Sequence, residues 1–352
     1  RFLVLAGAVG VSAAGLGGLG NVLRNRISVA AERLALRLPS ARRRADVPTD
    51  GLIEVDGVSP YVTPTADFYR IDTALVIPQV PVDSWRLAIS GLVDEPFELS
   101  FEELAAMDVV EEVVTLSCVS NEVGGDLVGN AVWLGVPLAD VLERAGVQDG
   151  ASQIVGRSVD GFTAGFPTDV ALDGRVAMVA IGMNGEPLTA RHGYPARLVV
   201  AGLYGYVSAT KWLREIELTR WEDFDAYWVP RGWSKEAPIK VQSRSDVPRR
   251  STPLTAGRTP VAGVAWAPGT GISAVEVQVD DGPWRPATLG ASAGPTTWVQ
   301  WVLDWDAEPG QHTLRVRATD ATGLTQPEER TNPAPNGAAG HHTVKVSVRA
   351  ES

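Results

Sequence analysis

The stretch TLSCVSNEVGG, from Thr115 to Gly125, contains the residue with the clearest chemical potential in this chain. Cys118 is the only cysteine among 352 residues, so it cannot form an intrachain disulfide or belong to a multi-cysteine zinc or iron–sulfur site. A single thiolate can be a nucleophile or a ligand to a soft metal, and many buried cysteines have no chemical role. The local sequence leaves these three interpretations open.

A second group of reactive residues is cationic and lies in RHGYPARLVVAGLYGYVSATKW. Arg191, His192, Arg197 and Lys211 are hydrogen-bond donors, and the glycines between them allow the backbone to approach a ligand closely. Such donors suit a phosphate or pyrophosphate group. The segment matches neither a Walker loop nor a Rossmann fingerprint, so a scatter of surface cations is the alternative interpretation.

A third candidate is DFYRIDT, where Tyr69, Arg70 and Asp72 offer polar side chains in a loop before the first predicted strand. The elements after it predict an α+β domain over residues 51–236, because strands and helices do not alternate regularly enough for a doubly wound sheet. The β-branched run EEVVTLSC predicts a buried strand that ends at Cys118.

Local signals in this domain also predict a strand, two helices and a turn. WRLAISGLV alternates apolar and polar residues as a strand does, and Ser100 with Glu103 forms a capping box. PLADVLERAGV predicts a short amphipathic helix from Pro137 that ends at Gly146. Asn184 followed by glycine predicts a hairpin turn.

From about Ala237 the pattern changes to alternating strands separated by Gly, Pro and Asp turns. Segments such as ISAVEVQVDDGPWRPATL and GQHTLRVRATDATG predict an all-β sandwich over residues 237–352. Trp284, Trp298, Trp301 and Trp305 are expected to fill its core or an interface.

The N-terminal segment is predicted to reach a membrane. Phe2 to Leu23 is an uncharged run of 22 residues, long enough to span a bilayer, so residues 1–23 predict a transmembrane or signal anchor. A cleaved signal peptide and a buried core helix are the alternatives. Residues 24–50 predict a basic juxtamembrane linker, either a juxtamembrane helix with Ile27, Leu34 and Leu38 on one face or a solvated linker helix.

Composition bounds the class of protein. With 45% hydrophobic and 21% charged residues the chain can bury a sizeable core, and its length indicates two globular domains. The formal net charge is −11, although the first fifty residues hold eight arginines and three acidic residues. The remainder is therefore strongly acidic, which argues against a nucleic-acid partner.

Three parts of the sequence together resemble the sulfite-oxidase family of molybdopterin-dependent oxidoreductases. They are LSCVSN, MNGEPLTARHGYPARLVVAGLYGYVSATKWL and VAGVAWAPGTGISAVEVQVDDGPWRPATL, and the resemblance covers about residues 55–350. It implies a molybdopterin-binding oxidoreductase domain at 51–236 followed by an immunoglobulin-like sandwich at 237–352, which in the family often mediates dimerisation.

The resemblance also implies roles for individual residues. Cys118 is expected to be the only protein ligand of molybdenum and, with Arg70 and Tyr227, to act in catalysis, since Arg70 and Tyr227 would orient the oxygen of the substrate. The residues expected to bind the cofactor are Tyr69, Arg70, Cys118, Ser158, His192, Arg197, Ser208, Ala209, Thr210 and Lys211.

Two positions depart from the pattern of sulfite oxidases. Sulfite oxidases usually have an arginine soon after the cysteine motif, and this chain has Glu122 and Val123 there instead. The N-terminal histidine of the family is replaced by Asp72. The predicted reaction is therefore a two-electron oxygen-atom transfer on a small sulfur or nitrogen oxo-compound, of the sulfite-oxidation or sulfoxide-reduction type. A branch that resembles periplasmic protein-methionine-sulfoxide reductase fits a neutral substrate.

No haem-binding module is visible, so electrons are expected to pass to or from an unidentified partner. Arg1-Phe2-Leu3 resembles the end of a twin-arginine export signal, which places the catalytic domain on the extracytoplasmic side of the cell membrane. Two alternatives are a surface-tethered binding protein with a vestigial cofactor domain and a cysteine hydrolase that pairs Cys118 with His192.

Overall fold

The computed structural model describes residues 29–249 and 253–350, which form two β-rich regions. The predicted anchor at 1–23 and Ile27 lie outside the described residues. Within the described ranges no helix is both long enough and apolar enough to cross a bilayer.

The first region contains two five-stranded sheets that together position the candidate residues. One has the order β2-β1-β10-β5-β6, in which β1 and β10 are parallel and the other neighbours are antiparallel. The segment WRLAISGLV contributes β1, as predicted. These strands are β1 (Arg86–Gly91), β2 (Phe97–Ser100), β5 (Gln153–Ser158), β6 (Thr163–Pro167) and β10 (Leu213–Thr219).

The second sheet is antiparallel and carries Cys118 at the end of its first strand. Its order is β3-β4-β7-β8, and β9 also pairs with β7. The predicted hairpin turn is confirmed, because Asn184 and Gly185, both with positive φ, join β7 to β8. The strands are β3 (Val110–Ser117), β4 (Val128–Pro137), β7 (Ala177–Met183), β8 (Glu186–Pro187) and β9 (Arg197–Val200).

The helices of this region are short. The capping box is confirmed, since the side chain of Ser100 accepts from the amide of Glu103 and the side chain of Glu103 accepts from the amide of Ser100. The second helix ends at Gly146, whose φ of 65° only glycine adopts easily. The helices are α1 (Phe101–Ala105), α2 (Leu138–Ala145), α3 (Asp169–Leu172) and α4 (Gly205–Ser208), with 3-10 turns at Ala190–His192 and Val229–Arg231.

The second region consists of two facing sheets, which confirms the predicted β-rich C-terminal part. One sheet has the order β11-β13-β17-β16 and the other β12-β19-β18-β14-β15. The strands are β11 (Gln242–Val247), β12 (Pro253–Thr255), β13 (Gly257–Trp266), β14 (Ile272–Val279), β15 (Trp284–Pro286), β16 (Thr288–Leu289), β17 (Val299–Ala307), β18 (Gly310–Asp320) and β19 (His342–Arg349).

The four tryptophans singled out in the sequence lie in different places. Trp301 and Trp305 fill the core between the two facing sheets, and Trp298 belongs to the core of the first region. Trp284 is only half-buried, and the guanidinium of Arg317 lies 4.2 Å from the centre of its ring. Three of the four are therefore core residues, whereas Trp284 lies under a surface arginine.

Contacts between the two regions fix the strand that leads to Cys118. The indole N–H of Trp298 donates to the carbonyl of Tyr61 at 2.8 Å, and the backbone N–H of Trp298 donates to the hydroxyl of Thr115 at 2.7 Å. The backbone N–H of Thr115 in turn donates to the carbonyl of Thr296 at 3.0 Å. Strand β3 is thus joined to the loop before β17 by both side-chain and main-chain bonds.

The segment that precedes the domain contacts it through some of its side chains. Residues 29–35 are helical, and the carboxylate of Glu32 accepts from the amide of Val82 at 2.6 Å and from the hydroxyl of Tyr194 at 2.7 Å. Leu34 is 77% exposed, whereas Leu38 packs against the core after the helix has ended. The prediction that Leu34 and Leu38 share one helix face is therefore wrong, and of the two only Leu34 is solvated.

Candidate functional site

A cleft of about 740 Å³, counting the space open to solvent at its mouth, lies where the ends of the two sheets meet. This size is typical of pockets that bind cofactors or small molecules. The cleft brings together residues far apart in the sequence, from the loop before β1, the end of β3 and the segment around α4. Seven of the predicted site residues line it, namely Tyr69, Cys118, Ser158, His192, Arg197, Ala209 and Lys211.

Cys118 occupies the cleft at the point where β3 ends. Its backbone N–H donates to the carbonyl of Leu127 at 2.9 Å, and its carbonyl accepts from the amide of Asn121 at 3.1 Å. The loop that follows is tight, because a Cβ on Gly125 would lie 2.6 Å from the side-chain oxygen of Asn121. Burial raises the pKa of the Cys118 thiol, so a metal or another cation is needed to make it a thiolate at neutral pH.

Arg197 is a buried cation without an acidic partner in the described part of the chain. It is 5% exposed, and its guanidinium donates to the carbonyls of His192 and Leu198, each at 3.3 Å. Burial lowers its pKa to about 10, so it stays charged at neutral pH. A buried charge with only neutral acceptors is costly, and an anion placed in the cleft would relieve that cost.

His192 contacts Arg197 through its backbone carbonyl, and its ring is hydrogen-bonded to the N-terminal loop. Its ring Nε2 is 3.1 Å from the carbonyl of Thr65, which accepts the ring proton. Burial, together with the charge of Arg197, lowers the pKa of His192 to about 4. The imidazole is therefore neutral, and none of its described hydrogen bonds reaches Cys118, which disfavours the hydrolase that would pair these two residues.

Lys211 forms an ion-paired group with two residues of the N-terminal loop. Its ammonium donates to the carboxylate of Asp72 at 2.7 Å, and the guanidinium of Arg70 donates to the same carboxylate at 2.7 and 3.0 Å. Burial would raise the pKa of Asp72, but the hydrogen bonds from Arg70 and Lys211 outweigh it and hold that pKa below its usual range. Burial lowers the pKa of Lys211 to about 8, and the contact with Asp72 opposes this effect.

Comparison with known proteins assigns this site to a family. The family described as "Oxidoreductase molybdopterin binding domain" matches residues 74–228. An uncharacterized oxidoreductase of Bacillus subtilis (strain 168), YuiH, is 36% identical over 176 residues, which is 50% of this chain and 85% of that protein. The chain belongs to the sulfite-oxidase family of molybdopterin-dependent oxidoreductases.

Other relatives in this family extend the similarity into the C-terminal region. Mitochondrial sulfite oxidase of Homo sapiens is 28% identical over 317 residues, covering 76% of this chain. The chain spans only 58% of that enzyme. The crystal structure of the sulfane dehydrogenase SoxCD from Paracoccus pantotrophus superposes with a TM-score of 0.73 at 25% identity, covering 82% of each chain. The similarity therefore includes the fold of both regions.

The residues of the cleft fit the cofactor of this family. Molybdopterin is an anionic group with a dithiolene and a phosphate, and molybdenum is a soft centre that accepts thiolate. The cleft supplies one thiol at Cys118 and a buried guanidinium at Arg197 without an acidic partner in the described residues. A soft ligand and an unbalanced positive charge in one cleft are what such a cofactor requires.

Four predicted site residues do not line the cleft. The hydroxyl of Ser208 donates to the carbonyl of Tyr204 at 3.1 Å, and the hydroxyl of Thr210 donates to the carbonyl of Gly156 at 3.3 Å. Both are fully buried, and they fix the backbone on either side of Ala209. Their contacts are those of residues that shape the wall, and their cofactor-binding role stays a prediction.

Arg70 and Tyr227 are also outside the lining. Arg70 is bound to Asp72, which lines the cleft. The ring of Tyr227 packs against Phe162 at 5.7 Å and Trp228 at 5.2 Å, and those two rings form part of the wall. Both residues thus stand one side chain away from the cleft, and their predicted contact with substrate is not tested by this arrangement.

The sequence analysis missed two features of the lining. One is a set of aromatic side chains, and the other is a second acidic residue, Asp160, in the turn between β5 and β6. The sequence VDGF marks a turn but gives no indication that this turn faces the cleft. The aromatic residues are Phe68, Phe162, Tyr206, Trp212 and Trp228.

Proposed function

We propose that this protein catalyses two-electron oxygen-atom transfer on a small sulfur oxo-compound, with molybdenum bound by Cys118. The observation that carries the proposal is the presence of the only thiol and a buried, unbalanced arginine in one cleft. Bound molybdenum would supply the centre that exchanges an oxygen atom and two electrons with the substrate, and it would gain the electrons when the substrate gains the oxygen. The rest of the chemistry rests on the residues that place and shield it.

Arg197 is proposed to bind the phosphate of the cofactor. The guanidinium of Arg197 has donors beyond the two it uses on backbone carbonyls. Lys211 was also predicted from the sequence to bind the cofactor, and in the structure its ammonium donates to Asp72. The other predicted cofactor-binding residues in the lining are proposed to form the walls around the cofactor, namely Tyr69, Ser158, His192 and Ala209.

Sulfur chemistry is supported by the relatives rather than by the cleft alone. Sulfite oxidases from mammals, birds and plants and the sulfane dehydrogenase SoxCD are among the proteins this chain resembles. The proposed substrates are therefore sulfite or an organic sulfur compound and its S-oxide. Electrons would pass through a separate electron-transfer partner.

The proposed location is the extracytoplasmic face of the cell membrane, with residues 1–23 as the anchor. Support comes from the 22-residue uncharged run and the arginines that follow it. We also propose that the C-terminal sandwich is immunoglobulin-like and mediates a homodimer. Protease accessibility in intact cells and sedimentation equilibrium of the purified protein test these two statements.

Metal analysis followed by a substrate panel tests the proposed reaction. We expect close to one molybdenum per chain in the purified protein, and turnover of at least one of sulfite, a dialkyl sulfoxide or a thioether. Cys118→Ser should keep the native circular dichroism spectrum and lose at least 100-fold in turnover, because the ligand that holds the metal is gone. Unchanged turnover in Cys118→Ser would refute the assignment.

A further inference from the structure

The carboxylate of Asp72 lines the cleft and binds two cations, Lys211, which also lines the cleft, and Arg70, which does not. It is 6% exposed and accepts three hydrogen bonds, two from Arg70 and one from Lys211, at 2.7 to 3.0 Å. Each of these bonds joins opposite charges, so each is stronger than a neutral hydrogen bond. Arg70 and Lys211 are therefore held by Asp72 rather than directed at the space in the cleft.

The cleft is lined by two cationic and two acidic side chains, and among these cations only Arg197 has no acidic partner in the described residues. Arg197 and Lys211 carry positive charge, and Asp72 and Asp160 carry negative charge. His192 adds none, because its proton is shared with a backbone carbonyl and the ring is neutral. Once an anionic cofactor occupies the side of Arg197, the cleft holds no uncommitted cation among the described residues.

Aromatic side chains form a large part of the remaining wall. Phe162, Tyr206 and Trp228 lie in the lining, and Tyr227 and Trp233 pack behind them with ring centroids 5.2 to 6.4 Å apart. Aromatic rings make favourable contacts with divalent sulfur and do not stabilise an oxyanion. The wall thus suits a neutral organic sulfur compound better than an inorganic anion.

We propose that Asp72 determines the charge of the substrate: by holding Arg70 and Lys211 it makes the cleft reject oxyanions such as sulfite and admit neutral sulfur compounds. This inference rests on the proposed function, since it narrows the substrate of the same site. Asp72 acts through the two cations it binds, so it is a specificity-determining residue and takes no part in bond breaking.

Removal of the negative charge of Asp72 should allow the cleft to bind oxyanions. In Asp72→Asn the amide no longer neutralises the two cations, so the cleft gains a net positive charge and two donors that can turn toward an anion. A charge interaction at contact distance in a partly buried site is large compared with the free energy of a tenfold change in affinity. We expect sulfate to bind at least tenfold more tightly to Asp72→Asn than to the wild type.

Sulfate is the probe because it has the charge and shape of an oxyanion substrate and does not react. The purified protein, with whatever cofactor it carries, is titrated with sulfate by calorimetry in parallel with three variants. Asp72→Glu keeps the charge and should bind sulfate as weakly as the wild type. Asp304→Asn removes a carboxylate from an exposed ion pair with Arg258 in the sandwich and serves as the matched control.

The outcomes separate this inference from the proposed function. Sulfate affinity of Asp72→Asn within threefold of the wild type, in protein with a native melting curve, overturns the inference, as does equally tight binding by the wild type. Asp72→Ser replaces Asp72→Asn if the amide variant fails to fold. Absence of molybdenum and of any turnover refutes the proposed function instead, and the ratio of sulfate affinities can still be read.

Steady-state kinetics on two substrates distinguish charge selection by Asp72 from a purely structural role of this residue. In metal-loaded Asp72→Asn the KM for sulfite should fall at least tenfold, whereas the KM for a neutral sulfoxide should stay within threefold. A parallel loss on both substrates would indicate general damage to the cleft and would count against charge selection.

Discussion

Arg244 ties the C-terminal sandwich to the loop that carries Cys118, and its removal should loosen that loop. The guanidinium donates to the carbonyl of Gly125 at 2.8 Å, to the hydroxyl of Ser59 at 2.7 Å and to the carboxylate of Asp246 at 2.6 Å. The side chains of Arg244 and Asp246 are 11% and 9% exposed, so this is a nearly buried ion pair. No water shell is available to replace these bonds cheaply.

The expected cost follows from these contacts. Arg244→Ala leaves the carboxylate of Asp246 buried without its partner, a change that typically costs about 3 to 5 kcal/mol. The bond to the carbonyl of Gly125 is a separate, charge-assisted bond that contributes about 1.5 to 3 kcal/mol to holding the loop. If opening of the loop controls access to Cys118, the same bond should slow alkylation of the thiol by about 10- to 150-fold.

Two assays measure these effects separately. The urea midpoint reports the global loss of stability, and mass spectrometry of cofactor-free protein treated with iodoacetamide reports the loop, because Cys118 is the only thiol in the chain. The double variant Arg244→Met/Asp246→Leu removes both charges, so its urea midpoint should return toward that of the wild type. Its alkylation should stay fast, since the bond to Gly125 is still missing. Arg244→Ala with an unchanged midpoint and unchanged alkylation rate would refute the reasoning.

Two further predictions concern stability. The hydrogen bond from His312 to Asp280 raises the pKa of the imidazole, so the stabilisation is complete below the ordinary histidine pKa of about 6.5 and is lost as the pH rises through the folded pKa. The thermal midpoint of His312→Asn should therefore lie further below that of the wild type at pH 5.5 than at pH 8.5, and an equal gap at both would contradict the pairing. Gly135→Ala should cost about 3 kcal/mol or more in urea denaturation, because its Cβ would lie 2.4 Å from the carbonyl oxygen of Val179 on the neighbouring strand. A midpoint equal to that of the wild type would show that the two strands are further apart than described.

Local signals in the sequence were sufficient wherever the structure depends on neighbouring residues. The capping box of Ser100 and Glu103, the glycine end of α2 and the turn at Asn184 each depend on three or four adjacent residues. The position of Cys118 at the end of a buried strand followed from β-branched residues in the same way. These features were therefore predictable without knowledge of the fold.

Contacts between distant residues were not predictable by the same means. Strand β1 pairs with β10 in parallel, and Lys211 meets Asp72 across 139 residues of sequence. No periodicity or turn chemistry encodes such pairings, because they depend on how whole sheets pack. The charge balance of the cleft depends on that pairing, so the sequence could identify Asp72 as a departure from the family without revealing what it binds.

The prediction for the segment before the domain was wrong for a related reason. Leu34 and Leu38 are spaced as neighbours on a helix, and only the structure shows that the helix ends at residue 35, before the second leucine. Contacts such as that between Glu32 and Tyr194 then hold the segment against the domain. Spacing predicts a shared face only where the helix continues, and the spacing of the leucines does not show that this helix ends four residues before Pro39.

X-ray absorption at the molybdenum edge tests the central claim, that Cys118 is a ligand of the metal, most directly. The wild type should show one more sulfur in the coordination shell than Cys118→Ser, with the sulfurs of the cofactor unchanged between the two proteins. An equal number of sulfur ligands in both proteins, each containing molybdenum, would contradict the account.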